Sequence, residues 1–221
     1  MAKLELENIF YRYRGATKDV LREVNCSFEG GKLNAIVGPS GSGKTTLLSI
    51  MAGLDEPTQG RITIDGNNLK NMNLDEYRRD SVSMIFQAFQ LFPLLTALEN
   101  VSFPMEYKGI TKEEAREKGK EVLDSLGIDG DKQSRYPSNL SGGEQQRVAI
   151  GRTLATGAKV ILADEPTGNL DDENSDRIIG ILKELAHEQD FCVIIVTHDM
   201  EIAEVSDNVW RIKDGTIEKE K

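Results

Sequence analysis

The sequence predicts an α/β fold with a mainly parallel sheet, into which a helical subdomain is inserted. First, an apolar run at 33–37 leads through a glycine-rich loop into a helix that stops at Gly53. Second, strands and helices alternate from Gly142 to the C-terminus, a pattern typical of parallel sheets. Third, a capped helical stretch runs from Thr111 to Gly127 between these parts. The 221 residues suffice for one large domain with such an insertion.

The predicted elements follow in chain order. Short alternating strands begin the chain, with apolar positions at Leu4, Leu6, Ile9, Val24, Cys26 and Phe28. Further strands are predicted at 61–64, before the turn Asp65-Gly66, and at 83–86. We expect a helical subdomain at about 88–149, with a capping box at Thr111–Glu114, and an α/β core at 1–87 and 150–221. The core resumes with strand 160–163, a helix from Asn174 to about His187, strand 192–196 and a hairpin around Asp214-Gly215.

Composition excludes several classes of protein. The net charge of −10 argues against binding to nucleic acid or to anionic lipid. No apolar run approaches the ~20 residues that span a bilayer, and the N-terminus carries no signal region. We therefore expect a cytoplasmic chain that reaches the inner face of the membrane only through another chain. Cys26 and Cys192 lie in predicted strands and indicate buried thiols rather than a disulfide.

The glycine-rich loop fits the phosphate-binding pattern G-x-x-x-x-G-K-[ST]. Its glycines allow close approach of the backbone to a polyphosphate, and the following helix N-terminus adds roughly half a positive charge. Lys44 is expected to reach the β- and γ-phosphates and the Thr45 hydroxyl to bind Mg²⁺. The predicted phosphate-binding residues are Gly38, Pro39, Ser40, Gly41, Ser42, Gly43, Lys44, Thr45 and Thr46.

Two further motifs carry chemistry. An apolar strand ends in Asp164-Glu165, where Asp164 is predicted to hold Mg²⁺ and Glu165 to polarise the water that attacks the γ-phosphate. The stretch 140–147 reads LSGGEQQR. Ser141 is a good N-cap, and we expect Gly142 and Gly143 to leave a bare helix end that forms a second anion site.

Over nearly its full length, and above all in LSGGEQQR, the sequence resembles the ATP-binding subunits of ABC transporters. The resemblance implies a RecA-like P-loop NTPase core with an N-terminal antiparallel β-subdomain and an inserted α-helical subdomain. It implies ATP and Mg²⁺ as cofactors, separate transmembrane permease subunits as partners, and a homodimer that sandwiches two ATP molecules. Each ATP would lie between one chain's P-loop and Ser141, Gly142 and Gly143 of the other.

The resemblance also assigns roles to single residues. Gln87 is similar to the Q-loop glutamine that contacts Mg²⁺ and the permease, 169–171 to the D-loop, and His198 to the switch histidine that contacts the γ-phosphate. Tyr13 is similar to the A-loop aromatic that stacks on adenine. Tyr11, two residues earlier and on the same face of a predicted strand, remains the competing candidate.

The sequence around Asp164-Glu165 resembles that of the branch that handles macrolide export, lipoprotein release and antimicrobial-peptide resistance. The expected function is therefore ATP hydrolysis that powers export through a permease. A cell-division ATPase has much the same sequence at this motif. The alternative function is therefore regulation of cell-envelope or division machinery through a membrane partner, without transport. A soluble ABC protein of DNA repair or translation fits less well, because one ATPase core is present and only about fifty residues separate Gln87 from Ser141. A binding module without hydrolysis also fits less well, since Glu165 and His198 are both present.

Overall fold

The computed structural model describes residues 2–221, which form ten β-strands and seven α-helices. The strands are β1 (Lys3–Tyr11), β2 (Leu21–Glu29), β3 (Lys32–Val37), β4 (Gln59–Ile64), β5 (Asn67–Asn68), β6 (Val82–Phe86), β7 (Val160–Asp164), β8 (Cys192–Thr197), β9 (Asn208–Lys213) and β10 (Thr216–Lys219). The helices are α1 (Lys44–Met51), α2 (Leu74–Asp80), α3 (Ala97–Tyr107), α4 (Lys112–Ser125), α5 (Gly142–Ala155), α6 (Asp172–Gln189) and α7 (Met200–Val205).

The N-terminal strands form an antiparallel sheet in the order β2-β1-β4-β5. Leu4 pairs with Phe28 on one side and with Ile64 on the other, and all three side chains are buried. The period-two alternation of apolar residues thus places one face of this sheet on the core. The predicted antiparallel β-subdomain is confirmed. Strand β1 ends at Tyr11, so Tyr13 lies beyond the strand that was expected to carry both tyrosines.

The second sheet has the order β10-β9-β3-β8-β7-β6. β3 runs parallel to both β8 and β9, and β7 runs parallel to β8. β8 is buried at every position and β3 at all but its first, as expected for strands in the middle of a parallel sheet. The carboxyl ends of β3, β7 and β8 lie at one edge of this sheet, where ligands bind in open α/β folds.

The chain divides into two compact units. The first comprises the residues up to Met84, Lys159–Glu165 and Leu182–Lys221, and the second comprises Ile85–Ala158 and Pro166–Ile181. The second unit has its own apolar core, which includes Val101, Leu123 and Val148. It takes in the whole stretch 88–149 that we expected to be helical. A boundary between 149 and 150 would cut α5, which is continuous from Gly142 to Ala155.

Helix ends differ in detail from the sequence expectations. Thr111 accepts the N–H of Glu114 at 3.3 Å, as predicted, but the Glu114 carboxylate accepts the Thr111 hydroxyl at 3.2 Å. Helix α6 begins at Asp172, two residues before the predicted start. Within residues 2–221, no helix combines the length and apolarity needed to cross a bilayer. Both cysteines are free and buried.

Candidate nucleotide-binding site

The loop between β3 and α1 has the geometry of an anion cradle. Gly43, at the N-terminus of α1, has φ +105°, and a Cβ there would lie 2.9 Å from Leu21 Cδ2. Glycine is therefore required both for the left-handed backbone and for the close packing. Among the described residues, no side chain caps α1. The first N–H groups of this helix are thus available to an anion.

Lys44 and Ser42 are the polar side chains inside this loop. The Lys44 Nζ donates to the carbonyl oxygens of Gly38 at 2.7 Å and Pro39 at 3.1 Å, and the side chain is only 9% exposed. The Ser42 Oγ is buried and has no hydrogen-bond partner among residues 2–221. A buried hydroxyl without a partner is costly unless a ligand supplies one. An ammonium, an orphaned hydroxyl and free backbone N–H groups together fit a polyphosphate.

Asp164 ends β7 beside this loop. Burial, and next the charge of Glu165, raise the pKa of Asp164, while the Lys44 ammonium and a hydrogen bond with the Thr45 side chain act in the opposite direction. A carboxylate and a hydroxyl in contact are oxygen ligands that Mg²⁺ accepts, with water and phosphate completing its shell. Asp164 and Thr45 therefore fit the predicted Mg²⁺ site.

Glu165 has its carboxylate held on both oxygens. Oε1 lies 2.8 Å from Nδ1 of the exposed His198, and Oε2 accepts the hydroxyl of Thr197 at 3.1 Å. The backbone of Glu165 has φ +47°, a left-handed conformation that is uncommon for this residue type. Its N–H donates to Val196 at the end of β8 at 2.9 Å, which stabilises this turn. The result is a fixed carboxylate next to Asp164.

Sequence reasoning gave Thr197 no role, although it directly precedes His198. Thr197 is fully buried at the end of β8, and its Oγ1 accepts the N–H of Asp199 at 3.0 Å. The single hydroxyl hydrogen is thereby left for Glu165. A threonine at a strand end immediately before the predicted switch histidine is the sequence signal that identifies this group.

The two candidate tyrosines have different environments. Tyr11 is 7% exposed and donates its hydroxyl to Asp55 Oδ1 at 3.1 Å. Tyr13 is 48% exposed, and its hydroxyl lies 2.8 Å from Thr46 Oγ1 on α1. The rings meet edge to face, with centroids 5.0 Å apart and planes at 85°. Tyr13 thus offers an accessible ring beside the phosphate-binding helix, whereas Tyr11 is packed in the core.

The first unit thus brings together the loop 38–46, Asp164, Glu165, His198 and Tyr13. The remaining predicted site residues, Gln87, Ser141, Gly142 and Gly143, belong to the second unit.

In the second unit, the start of α5 is capped and not bare. Ser141 Oγ accepts the N–H of Glu144 at 3.3 Å, and the Glu144 carboxylate accepts the N–H of Ser141 at 2.8 Å. This backbone hydrogen bond, together with Lys132 at 3.2 Å, lowers the pKa of Glu144 against the effect of burial. The expectation of a bare helix end was wrong because S-x-x-E closes a capping box. A Cβ on Gly143 would lie 2.1 Å from Asn174 Oδ1, so a larger residue there would displace the Asn174 side chain.

Gln87 contacts the predicted D-loop within the same unit. Its carbonyl oxygen accepts Asn169 Nδ2 at 2.9 Å, and a Cβ on Gly168 would lie 2.7 Å from Gln87 Nε2. The backbone just after Gln87 is left-handed at Phe89 (φ +60°) and Gln90 (φ +53°). Arg152 stabilises that bend by donating to both carbonyl oxygens, at 3.3 and 2.6 Å.

Comparison with known proteins agrees with this geometry. The ABC transporter family model matches residues 21–168. The Bacillus subtilis protein YclH, named as an uncharacterized ABC transporter ATP-binding protein, is 41% identical over 216 residues, which cover 98% of this chain and 96% of the relative. The macrolide export ATP-binding/permease protein MacB 1 of Yersinia pestis is 45% identical over 221 residues, or 98% of this chain. The match spans only 34% of that longer protein.

Among solved structures, the dimeric ABC transporter cassette MJ0796 superposes with a TM-score of 0.88 and 38% identity, covering 99% of both chains. A second structure of that cassette is a post-hydrolysis state bound to ADP and Pi, with the same score and identity. The MJ0796 sequence comes from Methanocaldococcus jannaschii. The predicted α/β fold with its antiparallel β-subdomain is that of these cassettes, and the chain belongs to the ABC transporter family as an ATP-binding, ATP-hydrolysing subunit.

Proposed function

We propose that the chain hydrolyses ATP with Glu165 as general base and uses the reaction to drive export through a separate permease. The catalytic part of this proposal is supported by the position of the Glu165 carboxylate. His198 and Thr197 hold it next to Asp164. Lys44 and the N-terminus of α1 bind the β- and γ-phosphates. Tyr13 stacks on adenine, and Thr46 and the loop 38–43 surround the phosphates.

The chain's own residues position and deprotonate water. A water oxygen attacks the γ-phosphorus, the bond between this phosphorus and the bridging oxygen breaks, and ADP and Pi are formed. Glu165 accepts the water's proton. Thr197 lies at Oε2 and His198 at Oε1, and each carboxylate oxygen has a further lone pair that can take the proton. When bound, Mg²⁺ would neutralise phosphate charge, and Asp164 and Thr45 are the residues that would hold it.

The proposed active assembly is a homodimer. The chain offers two kinds of anion-binding backbone, the loop 38–45 and the start of α5 at Ser141–Gly143. We propose that the loop of one copy and α5 of the other hold the same triphosphate. The dimeric state of the MJ0796 cassette supports this proposal. The capping box at Ser141 is compatible with it, since the box uses the N–H groups of Ser141 and Glu144 and neither of those of Gly142 and Gly143.

The second unit presents an apolar surface formed by Phe92, Leu94 and Phe103. Leu94 is 86% exposed, and the two phenylalanine rings contact each other edge to face at 5.4 Å. Large apolar side chains grouped on a surface mark interaction sites. We propose that the permease docks here and holds the chain at the inner face of the membrane. The name of the Yersinia relative, which joins ATP-binding and permease parts, supports export as the direction of transport.

The catalytic proposal is tested by Glu165→Gln. This change keeps the shape of the side chain but removes the base, so we expect hydrolysis to slow by about 10²–10⁴-fold. ATP affinity should be retained, and an ATP-bound dimer should accumulate. Near-normal turnover of the purified variant would remove Glu165 from the catalytic role.

The partner proposal is tested by isolating the chain from solubilised native membranes. A protein with several membrane spans should copurify with the wild type and be lost with Leu94→Glu. Val205→Glu, at a 45% exposed apolar position in the first unit, is the matched control and should retain the partner. Retention of the partner by Leu94→Glu would exclude this surface as the docking site.

A further inference from the structure

Tyr11 and Asp55 form a contact that the nucleotide chemistry described above does not use. The Tyr11 hydroxyl donates to Asp55 Oδ1 at 3.1 Å, although the two residues are 44 positions apart in the chain. The edge-to-face contact of the Tyr11 ring with Tyr13 places this pair next to the ring that we propose stacks on adenine.

Asp55 is fixed to the structure that also carries the phosphate site. It follows α1, and its N–H and that of Leu54 both donate to Ser49 in that helix, at 3.4 and 3.0 Å. Farther along the same segment, Thr58 donates its N–H to Phe10 at 2.8 Å and accepts the N–H of Arg12 at 3.2 Å. The segment 54–58 is thus tied at one end to α1 and at the other to the end of β1.

Tyr13, by contrast, lies beyond the end of β1, and about half of its side chain is exposed to solvent. Two contacts restrict its ring: the ring of Tyr11 at one edge and the hydroxyl of Thr46 at its tip. The hydrogen bond to Asp55 fixes the ring of Tyr11. A ring that is oriented before a base arrives loses less entropy on stacking than one that must first be ordered.

We infer that Tyr11 and Asp55 are positioning residues for the base of a purine nucleoside triphosphate, acting through Tyr13. This inference rests on the proposed stacking role of Tyr13. Neither residue touches the nucleotide. They are expected to strengthen binding of the base and to leave binding of the triphosphate group unchanged.

The test measures affinities of the purified chain for ATP and for inorganic tripolyphosphate, which has no base. Tyr11→Phe, which keeps the ring but loses the hydroxyl, should weaken ATP binding about 3-fold, and Tyr11→Leu about 10-fold, the range of one edge-to-face aromatic pair. Asp55→Ala should match Tyr11→Phe. Asp55→Asn keeps an acceptor oxygen for the Tyr11 hydroxyl and should bind ATP with wild-type affinity. None of the four should change tripolyphosphate affinity.

Tyr77→Phe is the matched control for loss of a buried tyrosine hydroxyl. Tyr77 is buried in the same core and donates to Met51 at 2.6 Å, but its ring has no contact with Tyr13. It should change stability without changing the ratio of ATP to tripolyphosphate affinity. A Tyr11→Phe effect that is equal for both ligands would overturn the inference in favour of a structural role.

A double-mutant cycle separates this inference from the function on which it rests. In a Tyr13→Ala background, Tyr11→Phe should have no further effect on ATP affinity. If Tyr13→Ala weakens ATP binding and Tyr11→Phe weakens it further in the Tyr13→Ala background, the positioning role is wrong. The stacking role of Tyr13 is then retained. If Tyr13→Ala leaves ATP affinity unchanged, both proposals fail.

Discussion

The Nδ1 atom of His198 lies 2.8 Å from Oε1 of Glu165, while the preceding residue, Thr197, holds the other carboxylate oxygen. Two neighbouring residues at the end of β8 thus fix one carboxylate at the end of β7. The parallel pairing of β7 with β8 brings these ends together. The expected base is therefore held in one orientation by residues of the chain itself.

Loss of the Thr197 hydroxyl should slow ATP hydrolysis without weakening ATP binding. Thr197→Val keeps the shape of this fully buried side chain but removes the donor to Oε2. A hydrogen bond to a charged group is worth ~1.5–3 kcal/mol, so we expect kcat to fall about 10-fold or more. KM for ATP should remain unchanged. Thr197→Ser, which retains the hydroxyl, should recover most of the rate, and failure to do so would indicate a packing defect.

Tyr13→Ala should weaken ATP and GTP binding alike, because stacking uses the face of a base and not its edges. The expected loss is ~1–3 kcal/mol, or about 5- to 150-fold in affinity. Tyr136→Ala, at nearly the same exposure as Tyr13, is the control and should bind both nucleotides normally. Selective loss of ATP over GTP would contradict a stacking role.

The pair His187–Asp207 should make stability depend on pH. Asp207 Oδ2 lies 2.8 Å from His187 Nε2 and accepts the N–H of Leu33 at 2.8 Å. Burial opposes ionisation of Asp207, but these hydrogen bonds and nearby positive charge outweigh it and lower its pKa. An unfolded Asp titrates near ~3.9, so this stabilisation is present above about pH 4 and is lost as pH falls through the lower folded value.

We therefore expect Asp207→Asn to reduce the free energy of unfolding at pH 7, measured by urea denaturation. The difference between wild type and variant should shrink as pH is lowered below about 4. A difference that stays constant from pH 7 to pH 3 would show that the pair acts through packing and not through charge.

Much of the candidate site was predictable because its residues follow strands of one parallel sheet. The loop 38–45, Asp164-Glu165 and His198 each come directly after an apolar run, and the carboxyl ends of parallel strands share an edge. Local pattern could also have revealed the cap of α5, since Ser141 and Glu144 have capping-box spacing. The prediction failed there because two intervening glycines were taken to leave the helix end open.

Contacts between distant positions were not predictable. The hydrogen bond from Tyr11 to Asp55 joins two segments whose own patterns predict only a strand and a loop. Likewise, the extent of the second unit depends on Pro166–Ile181, which pack with it although they lie outside the predicted helical insertion. Periodicity reports which face of an element is buried, but it does not report which other element covers that face.

We propose that two chains share each ATP site, and mixing two defective variants tests this sharing most directly. Lys44→Ala removes the phosphate-binding ammonium, and Ser141→Arg blocks the start of α5. Each homodimer then has two defective sites. A mixed dimer has one site with both defects and one intact site. We predict that each variant alone fails to occlude ATP and that the mixture occludes it in a manner that depends on protein concentration. Two variants that associate yet never occlude ATP together would contradict the shared site.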